Sequence, residues 1–243
     1  VLAIGGDGTA SIGVNGVILS DKKVKFYTIP YGNFNDIART LQMAHDQKAY
    51  VMEALVNGKH FRYALCYFTA GMLAESTKIF NEKKNRERLR RRKKNLIFSL
   101  WILFKWFLRN RKRQRFFRFR IEVLDEEGKI LEKKTFERKA ILDEVSDIIA
   151  LNGATMARIL RGGEYYLGNR FLVRSARLGT FLGVSGFMFR GIFGRVNGRE
   201  AAVSKFFFDQ PVCFEIQAEG ELERFEEVST LEFRKTKKSL QIL

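Results

Sequence analysis

The alternation of apolar and polar segments at the start of the chain predicts a strand, a loop, a helix and a second strand. An apolar run at residues 1–4 precedes a glycine-rich loop, residues 10–19 favour a short helix that runs into Asn15-Gly16, and residues 24–29 form the next apolar run. This order is typical of a parallel βαβ unit, in which ligands bind at the carboxyl ends of the strands. We therefore expect the segments that follow both strands to meet at one edge of a sheet.

From about residue 50 the pattern changes to short strands that are separated by turns. Residues 50–56 and 61–68 flank Asn57-Gly58, a dipeptide that favours a tight hairpin, and residues 121–124 and 130–136 flank an acidic turn. Further strands are predicted at residues 140–142, 148–151, 202–208, 212–218, 231–234 and 240–243, with Pro211 at a strand start. The predicted fold class is therefore α/β plus β, an α/β domain followed by an antiparallel β-sandwich-like domain.

The positive charge of the chain is concentrated in one segment. The sequence has 44 Lys and Arg against 27 Asp and Glu, and residues 83–120 hold 17 of those bases with Glu87 as their single acid. Two basic arms, residues 83–94 and 109–120, flank an apolar run at residues 96–108 that contains Trp101 and Trp106. The remaining sequence is almost neutral, so the chain is a neutral protein that carries one basic insert.

The apolar run inside this insert is too short to cross a bilayer as a helix, which takes about 20 residues. Aromatic side chains between basic arms favour an interfacial helix on an anionic membrane surface instead. A buried core helix with solvated basic ends is the alternative. Alternating Phe and Arg could also stack on nucleic-acid bases, but no nucleic-acid-binding fold signature accompanies them, so no nucleic acid is expected as a partner.

Cysteine and histidine usage excludes two other classes of protein. Cys66 and Cys213 lie in apolar runs, which argues against a disulfide framework and fits a reducing cytoplasm. With only His45 and His60 and no closely spaced Cys pair, a structural zinc site is not expected. A metal in this chain should be a hard cation bound by oxygens.

The first strand is followed by Gly5-Gly6-Asp7-Gly8-Thr9. Glycines after a strand let backbone N–H groups approach phosphate oxygens, and the helix N-terminus behind them favours an anion. Asp7 is placed where a carboxylate could hold Mg²⁺ against those phosphates. The cluster therefore predicts a site for phosphoryl transfer.

A second polar cluster begins at Pro30, at the end of the second strand, and contains Asn35-Asp36. Asn and Asp are favoured helix N-caps, so a helix is expected from about residue 37. From the residues alone, capping and chemistry remain equally good explanations of this pair.

Together, the two clusters resemble a known family. The pattern Pro-x-Gly-x-x-Asn-Asp-x-Ala-Arg at residues 30–39, at this distance from Gly-Gly-Asp-Gly-Thr, is similar to the diacylglycerol kinase catalytic domain family, which includes bacterial lipid kinases and sphingosine and ceramide kinase relatives. Gly-Gly-Asp-Gly-Thr alone also occurs in NAD kinases and phosphofructokinases. The resemblance is strong over residues 1–41, and residues 152–153, 162–163 and 219–221 extend it.

The resemblance implies a fold and its boundaries. Residues 1–48 would be the carboxyl-terminal part of an NAD kinase/diacylglycerol kinase-like nucleotide-binding α/β domain. Residues 49–243 would be an antiparallel lipid-substrate domain that carries the basic insert 83–120, with a last strand able to return to the first domain. An N-terminal truncation is expected, because such units normally have a βα pair before the phosphate loop, and the fragment could then be inactive alone.

The resemblance also implies an activity, an ATP-dependent lipid kinase that transfers the γ-phosphate to a lipid hydroxyl such as that of diacylglycerol. ATP and Mg²⁺ would be the cofactors. The catalytic residues would be Asp7, Asp36 and Glu221, with Glu221 as general base and Asp7 also holding the metal. The residues that would bind the cofactor are Gly5, Gly6, Asp7, Gly8, Thr9, Gly32, Asn33 and Asn35.

The chain departs from the family pattern at several positions. Asn33 stands where a Thr is usual, Ser11 and Ile12 replace an Asn and a Glu, and Glu219 replaces the Asp of Asp-Gly-Glu. Leu178 stands where many bacterial members have an Asp that binds a second, structural Mg²⁺. The residue type which that second site needs is therefore missing at this position.

The partners implied are a lipid substrate and an anionic membrane surface contacted through residues 83–120, and a homodimer is compatible with the sequence. The expected location is the cytoplasm, in peripheral association with the membrane. Two other functions are left open at this stage, a catalytically inactive family member that binds membranes and a soluble small-molecule kinase.

Overall fold

A computed structural model describes residues 1–20, 22–44, 47–91, 95–110, 118–136, 147–157, 160–176, 185–186, 189 and 198–243. The helices are α1 (Asp7–Ser20), α2 (Asp36–Met43), α3 (Met72–Asn81), α4 (Lys83–Arg91) and α5 (Asn95–Asn110). The strands are β1 (Leu2–Gly5), β2 (Lys25–Pro30), β3 (Lys48–Val56), β4 (Lys59–Ala64), β5 (Tyr67–Gly71), β6 (Phe119–Leu124), β7 (Ile130–Phe136), β8 (Asp147–Leu151), β9 (Thr155–Met156), β10 (Leu160–Arg161), β11 (Phe171–Ala176), β12 (Arg199–Ala201), β13 (Val203–Ala218) and β14 (Glu221–Ile242).

The predicted parallel unit at the start of the chain is confirmed. Strands β1 and β2 pair in parallel, with Gly5 opposite Pro30 at their carboxyl ends. Helix α1 begins at Asp7, three residues before the predicted start, and continues through Asn15. The Asn15 side chain donates to Tyr63 O and accepts from Tyr63 N, both at 2.9 Å, so this residue joins α1 to β4 rather than ending the helix.

The predicted hairpins of the second part are also present, but the strand predicted at residues 61–68 is divided between β4 and β5, with residues 65–66 outside both. Strands β3 and β4 pair across Asn57-Gly58, whose positive φ angles of 50° and 75° suit a tight hairpin turn. Strands β6 and β7 pair around the acidic turn. The predicted strand at residues 140–142 lies outside the described residues.

The end of the chain is simpler than predicted, because four predicted strands are two long ones. Strands β13 and β14 are antiparallel neighbours of 16 and 22 residues. The prediction that Pro211 starts a strand is wrong, since Pro211 lies inside β13 where the pairing register shifts between Phe207 and Val212. Such an irregularity accommodates a residue that has no N–H to donate.

Strand β14 joins the two parts of the molecule. It pairs antiparallel with β3 and β13, and its end pairs in parallel with β2, with Gln241 opposite Lys25. In the described part of the chain, twelve strands thereby form one mixed sheet. The predicted class, α/β plus antiparallel β, is confirmed; the domain boundary at residue 48 stays a prediction.

Two hydrophobic cores lie on this sheet. One contains side chains of α1 and α2, such as Val14 and Ile37, together with Leu103 of α5. The other lies among the antiparallel strands and includes Phe68, Phe206 and Phe233. Burial of these apolar side chains is the main favourable contribution to folding.

The described part of the insert contains helices α4 and α5, of which α5 has 16 residues, and the start of β6. Helix α5 packs against α3 and α4, and its Leu103 belongs to the first core. Among the described residues, no helix has both the length and the apolar composition that crossing a bilayer requires. The predicted interfacial role of this segment stays a prediction. Residues 92–94 and 111–117 lie outside the described residues.

Candidate active site

A cavity of about 540 Å³ opens where β1 and β2 end, and two chemically different sets of residues contribute to its lining. The first set, which we call the polar end, is the glycine-rich loop, residues 6–9, with Gly32, Asn33 and Glu221. The second set, which we call the apolar end, has apolar side chains from several elements: Phe34, Leu73, Phe80, Leu103, Met156 and Leu160. A single cavity therefore joins polar backbone to an apolar wall.

The polar end depends on two glycines that touch each other. A Cβ on Gly6 would lie 3.1 Å from Gly32 Cα, and a Cβ on Gly32 would lie 2.6 Å from Gly6 Cα. The N–H of Tyr31 donates to Gly5 O at 2.8 Å and holds the second loop against the first. The two predicted clusters therefore meet at the sheet edge, and side chains are excluded from their contact.

Asn35 shapes the second loop rather than capping a helix. Its Oδ1 accepts from Gly32 N at 2.8 Å and its Nδ2 donates to Gly32 O at 2.7 Å, while its own φ of 55° is left-handed. The N-cap hydrogen bond expected from the Asn35 side chain is absent at α2. Asp7 supplies that hydrogen bond instead, since its Oδ1 accepts from Ile37 N at 3.0 Å.

Asp36 is fully buried and is held by the strand that follows Gly153. Its Oδ1 accepts from Thr155 Oγ1 at 2.6 Å, and its Oδ2 accepts from Ala157 N at 2.5 Å. Asp36 does not line the cavity, whereas Met156 and Ala157 do. In this structure Asp36 positions the cavity wall, and its predicted catalytic role stays a prediction.

The turn between β13 and β14 brings Glu221 to the glycine-rich loop. Glu219 and Gly220 both have positive φ, 51° and 95°, which reverses the chain tightly. Glu221 lines the cavity, and a Cβ on Gly8 would collide with its Oε1. The glycine at position 8 thus leaves room for a carboxylate beside the N-terminus of α1.

Glu219, two residues earlier, is buried rather than exposed as its turn position suggests. Its Oε1 accepts from Cys66 N at 2.5 Å, and burial raises its pKa to about 7. The hydrogen bond ties the turn to the β4–β5 connection and thereby fixes where Glu221 projects. The sequence singled out Glu219 only as a departure from Asp-Gly-Glu, because nothing in the sequence shows that the turn packs against Cys66.

The apolar wall was also missed, although part of it had a signal in the sequence. Leu73, Thr77 and Phe80 recur at intervals of four and three residues on α3, which places them on one helix face, and all three line the cavity. Their spacing predicts an amphipathic helix. What that face contacts is settled only by the tertiary fold.

Asp7 fits the role of a magnesium ligand. Burial, followed by the nearby Asp36 carboxylate, raises the pKa of Asp7 to about 7, and a bound cation would favour its charged form. Mg²⁺ is commonly held by one or two carboxylates together with substrate phosphates. Among the residues described, no cluster of three or more acidic, His or Cys side chains is arranged to hold a metal ion. Leu178 lies outside the described part.

The loop also fits the phosphates of a nucleotide. Helix α1 begins at Asp7 and runs for 14 residues, so its N-terminal N–H groups and helix dipole favour an anion at the cavity. The contact between Gly6 and Gly32 leaves backbone without side chains beside this position. Of the predicted cofactor residues, Gly6, Asp7, Gly8, Thr9, Gly32 and Asn33 line the cavity, whereas Gly5 and Asn35 support the loops behind it.

Comparisons with known proteins agree with this geometry. A model of the diacylglycerol kinase catalytic domain matches residues 1–67. No curated protein sequence matches the chain. A solved diacylglycerol kinase structure from Bacillus anthracis str. Sterne is similar over 100% of this chain and 77% of its own, with 15% sequence identity and a TM-score of 0.61.

Two further structures from the same organism, whose diacylglycerol kinase names are provisional, are similar at 15% identity with TM-scores of 0.60 and 0.62. They too match 100% of this chain, over 76% and 77% of theirs. At this identity the likeness concerns the fold. Residues 1–67 therefore match the diacylglycerol kinase catalytic domain, and the whole chain shares its fold with these three solved structures.

Proposed function

We propose that the protein is an ATP-dependent lipid kinase that transfers the γ-phosphate to a lipid hydroxyl such as that of diacylglycerol. The observation that carries the proposal is the cavity of about 540 Å³, which joins the glycine-rich loop and two carboxylates to an apolar wall. The matching family model and the naming of the similar Bacillus anthracis structure as a diacylglycerol kinase support the same class of reaction.

In this proposal the residues of the polar end have different chemical roles. Backbone N–H groups of residues 6–9 bind the phosphates, and Asp7 holds the cation. Glu221 accepts the proton of the acceptor hydroxyl, which becomes nucleophilic enough for attack only as that proton leaves. When bound, Mg²⁺ would neutralise negative charge on the transferring phosphoryl group.

The apolar end supports a lipid rather than a small polar acceptor. Leu73, Phe80, Leu103 and Leu160 surround this end, and binding an acyl chain there would remove apolar surface from water. A sugar or nucleoside would leave the same side chains without a complementary group. The proposed location is the cytoplasmic face of a membrane, in peripheral association.

The test is phosphate transfer from radiolabelled ATP by full-length protein, assayed against diacylglycerol, sphingosine, ceramide, glycerol, a hexose and a nucleoside. We expect label in one of the lipids and at most background in the soluble acceptors. Label in a soluble acceptor alone would indicate a small-molecule kinase. Vesicle binding without transfer to any acceptor would indicate an inactive, membrane-binding member of the family.

A further inference from the structure

We propose that α5 has two functional faces. Its outer face docks on an anionic phospholipid bilayer, and its inner face forms part of the apolar cavity wall that would contact the acceptor lipid, which we call the acceptor wall. This inference rests on the proposed function and deepens it, since it says where the acceptor enters. The two faces are separate sets of side chains on the same 16-residue helix.

The inner face of α5 is closed against the protein. Ser99, Ile102 and Leu103 are 0%, 7% and 4% exposed, and Trp106 packs partly buried against the first core. Leu103 also lines the cavity, together with Leu73 and Phe80 from α3. A side chain of the insert is therefore part of the proposed acceptor site.

The outer face exposes apolar and cationic side chains together. Trp101, Lys105 and Leu108 follow each other at intervals of four and three residues, and all three are exposed, Trp101 by 59% and Leu108 by 42%. The Trp101 ring stacks on Phe104 with centroids 6.3 Å apart, and Phe104 packs against the first core. The exposed indole of Trp101 is therefore supported by Phe104, which itself packs against the first core.

Exposed cations lie on α5 and on α4, which packs against it. Arg109 on α5 and Lys83, Lys84 and Arg88 on α4 are exposed, against the exposed acids Glu82 and Glu87. In the sequence, residues 83–120 hold 17 bases and one acid. Exposed Trp with Lys and Arg around it is the side-chain combination that binds at the headgroup level of anionic membranes.

A bilayer suits this face better than the other occupants of a basic surface. A nucleic-acid backbone would pair with the cations but would leave Trp101 and Leu108 without an apolar environment. A second copy of the face would bring like charges together, which disfavours association. With a bilayer on the outer face, the acceptor cavity lies on the opposite face of the same helix, where Leu103 lines it.

The docking face is tested by vesicle co-sedimentation of the full-length protein at about 0.1 M salt. The vesicles are phosphatidylcholine alone or with about 30% phosphatidylglycerol. The double variant Trp101→Ser/Lys105→Glu should bind the anionic vesicles at least about tenfold more weakly, given roughly fivefold per removed cation near a membrane surface. The matched control is Ile130→Ser/Lys129→Glu, an exposed apolar and cationic pair at the start of β7, which should stay within about twofold of wild type.

Unchanged binding of Trp101→Ser/Lys105→Glu, or equal losses in both double variants, would overturn the docking face. Binding to a DNA or RNA oligonucleotide that this variant loses while vesicle binding persists would also overturn it. So would a wild-type dimer that the variant converts to monomer without a change in vesicle binding.

The inner face is tested by chain-length preference. Leu103→Trp should reduce transfer to a long-chain diacylglycerol at least about fivefold relative to a short-chain one dissolved as monomers, with vesicle binding unchanged. Leu103→Met conserves volume and controls for folding of this buried position. An unchanged ratio of the two rates in folded Leu103→Trp would overturn the acceptor wall.

The docking face and the proposed function can be disproved separately. If wild type phosphorylates monomeric diacylglycerol but its vesicle binding does not depend on Trp101 and Lys105, the function stands and the docking face is wrong. If vesicle binding depends on them but no lipid is phosphorylated, the docking face stands, whereas the proposed function and the acceptor wall are wrong.

Discussion

Asp7 shows how one side chain can serve both the fold and the chemistry. Its carboxylate accepts from Ile37 N and so caps α2, while it also lines the cavity at the position proposed for the cation. Because the hydrogen bond needs only an oxygen acceptor and the cation needs a negative charge, the two roles can be separated by substitution.

Asp7→Asn should therefore keep the fold and lose the chemistry. The Asn Oδ1 can still accept from Ile37 N and the buried charge is removed, so the free energy of unfolding in urea at neutral pH should be no lower than that of wild type. Asp7→Ala also removes the charge but loses the cap, and it should be about 1 kcal/mol less stable than Asp7→Asn. Phosphate transfer should be lost in both variants. Equal stabilities of the Asn and Ala variants would contradict the capping role.

Glu219 predicts a dependence of stability on pH. Its pKa is raised from 4.5 to about 7 by burial, so the folded state binds a proton more tightly than the unfolded state. The stability that this proton contributes is present below about pH 4.5 and is lost as the pH rises to about 7. The size, at about 1.4 kcal/mol per pKa unit, is on the order of 3 kcal/mol.

Glu219→Gln removes this titration. Its stability relative to wild type should rise between pH 5 and pH 8, as measured by urea unfolding across that range. Asp7 titrates in the same window and leaves some slope in both proteins, so the comparison is between slopes. Parallel curves for wild type and Glu219→Gln would contradict a buried, proton-binding Glu219.

At this scale the sequence indicated residues of one site but not their hydrogen-bond partners, and the roles predicted for those residues stay predictions. The sequence placed Asp7, Gly32 and Glu221 near one site, and the structure brings them to one cavity. It could not show that Asp36 points at Thr155, because that contact joins residues 119 positions apart. Hydrogen bonds between distant segments depend on tertiary packing, which local spacing does not encode.

At the scale of elements, two of the three glycines in α1 have opposite environments. A Cβ on Gly8 would collide with Glu221 Oε1, whereas a Cβ on Gly16 would meet nothing within 4 Å. Gly8 is at the N-terminal end of the helix beside the cavity, and Gly16 is exposed in its last turns. The pair allows one helix to be probed for activity and for stability.

Gly8→Ala should lower the rate of phosphate transfer by at least about tenfold, because the added methyl displaces the Glu221 carboxylate, with the helical circular dichroism retained. Gly16→Ala should leave the rate unchanged and stabilise the protein by about 0.5–1 kcal/mol, since Ala is the better helix former. Equal rates in the two variants would show that Glu221 does not need its place beside Gly8.

Elements with strong local signals were predicted well, and long strands were not. Asn57-Gly58 fixes its hairpin through backbone conformation, so the sequence alone sufficed. Strand β14 continues for 22 residues through exposed, charged positions because β13 and β3 supply hydrogen-bond partners along it. The apolar pattern marked only its buried stretches and therefore predicted shorter strands.

At the scale of the whole molecule, β14 links the strands that precede the phosphate loops to the antiparallel strands. It starts at Glu221 in the cavity and ends beside β2. The chain reversal at residues 219–220 therefore delivers Glu221 to the loops of β1 and β2 from the far end of the sequence. The sequence indicated both halves of the site, but only the shared sheet shows how they meet.

The central claim is phosphoryl transfer to a lipid hydroxyl with Glu221 as the base. Its most direct test is the rate of phosphate transfer from ATP to diacylglycerol in mixed micelles, for full-length wild type and Glu221→Gln at one pH. We predict transfer by wild type and a rate lower by about 10²–10⁴-fold in Glu221→Gln, the usual contribution of a general base. A Glu221→Gln rate equal to that of wild type, or a folded, ATP-binding wild type that transfers no phosphate, would contradict the account.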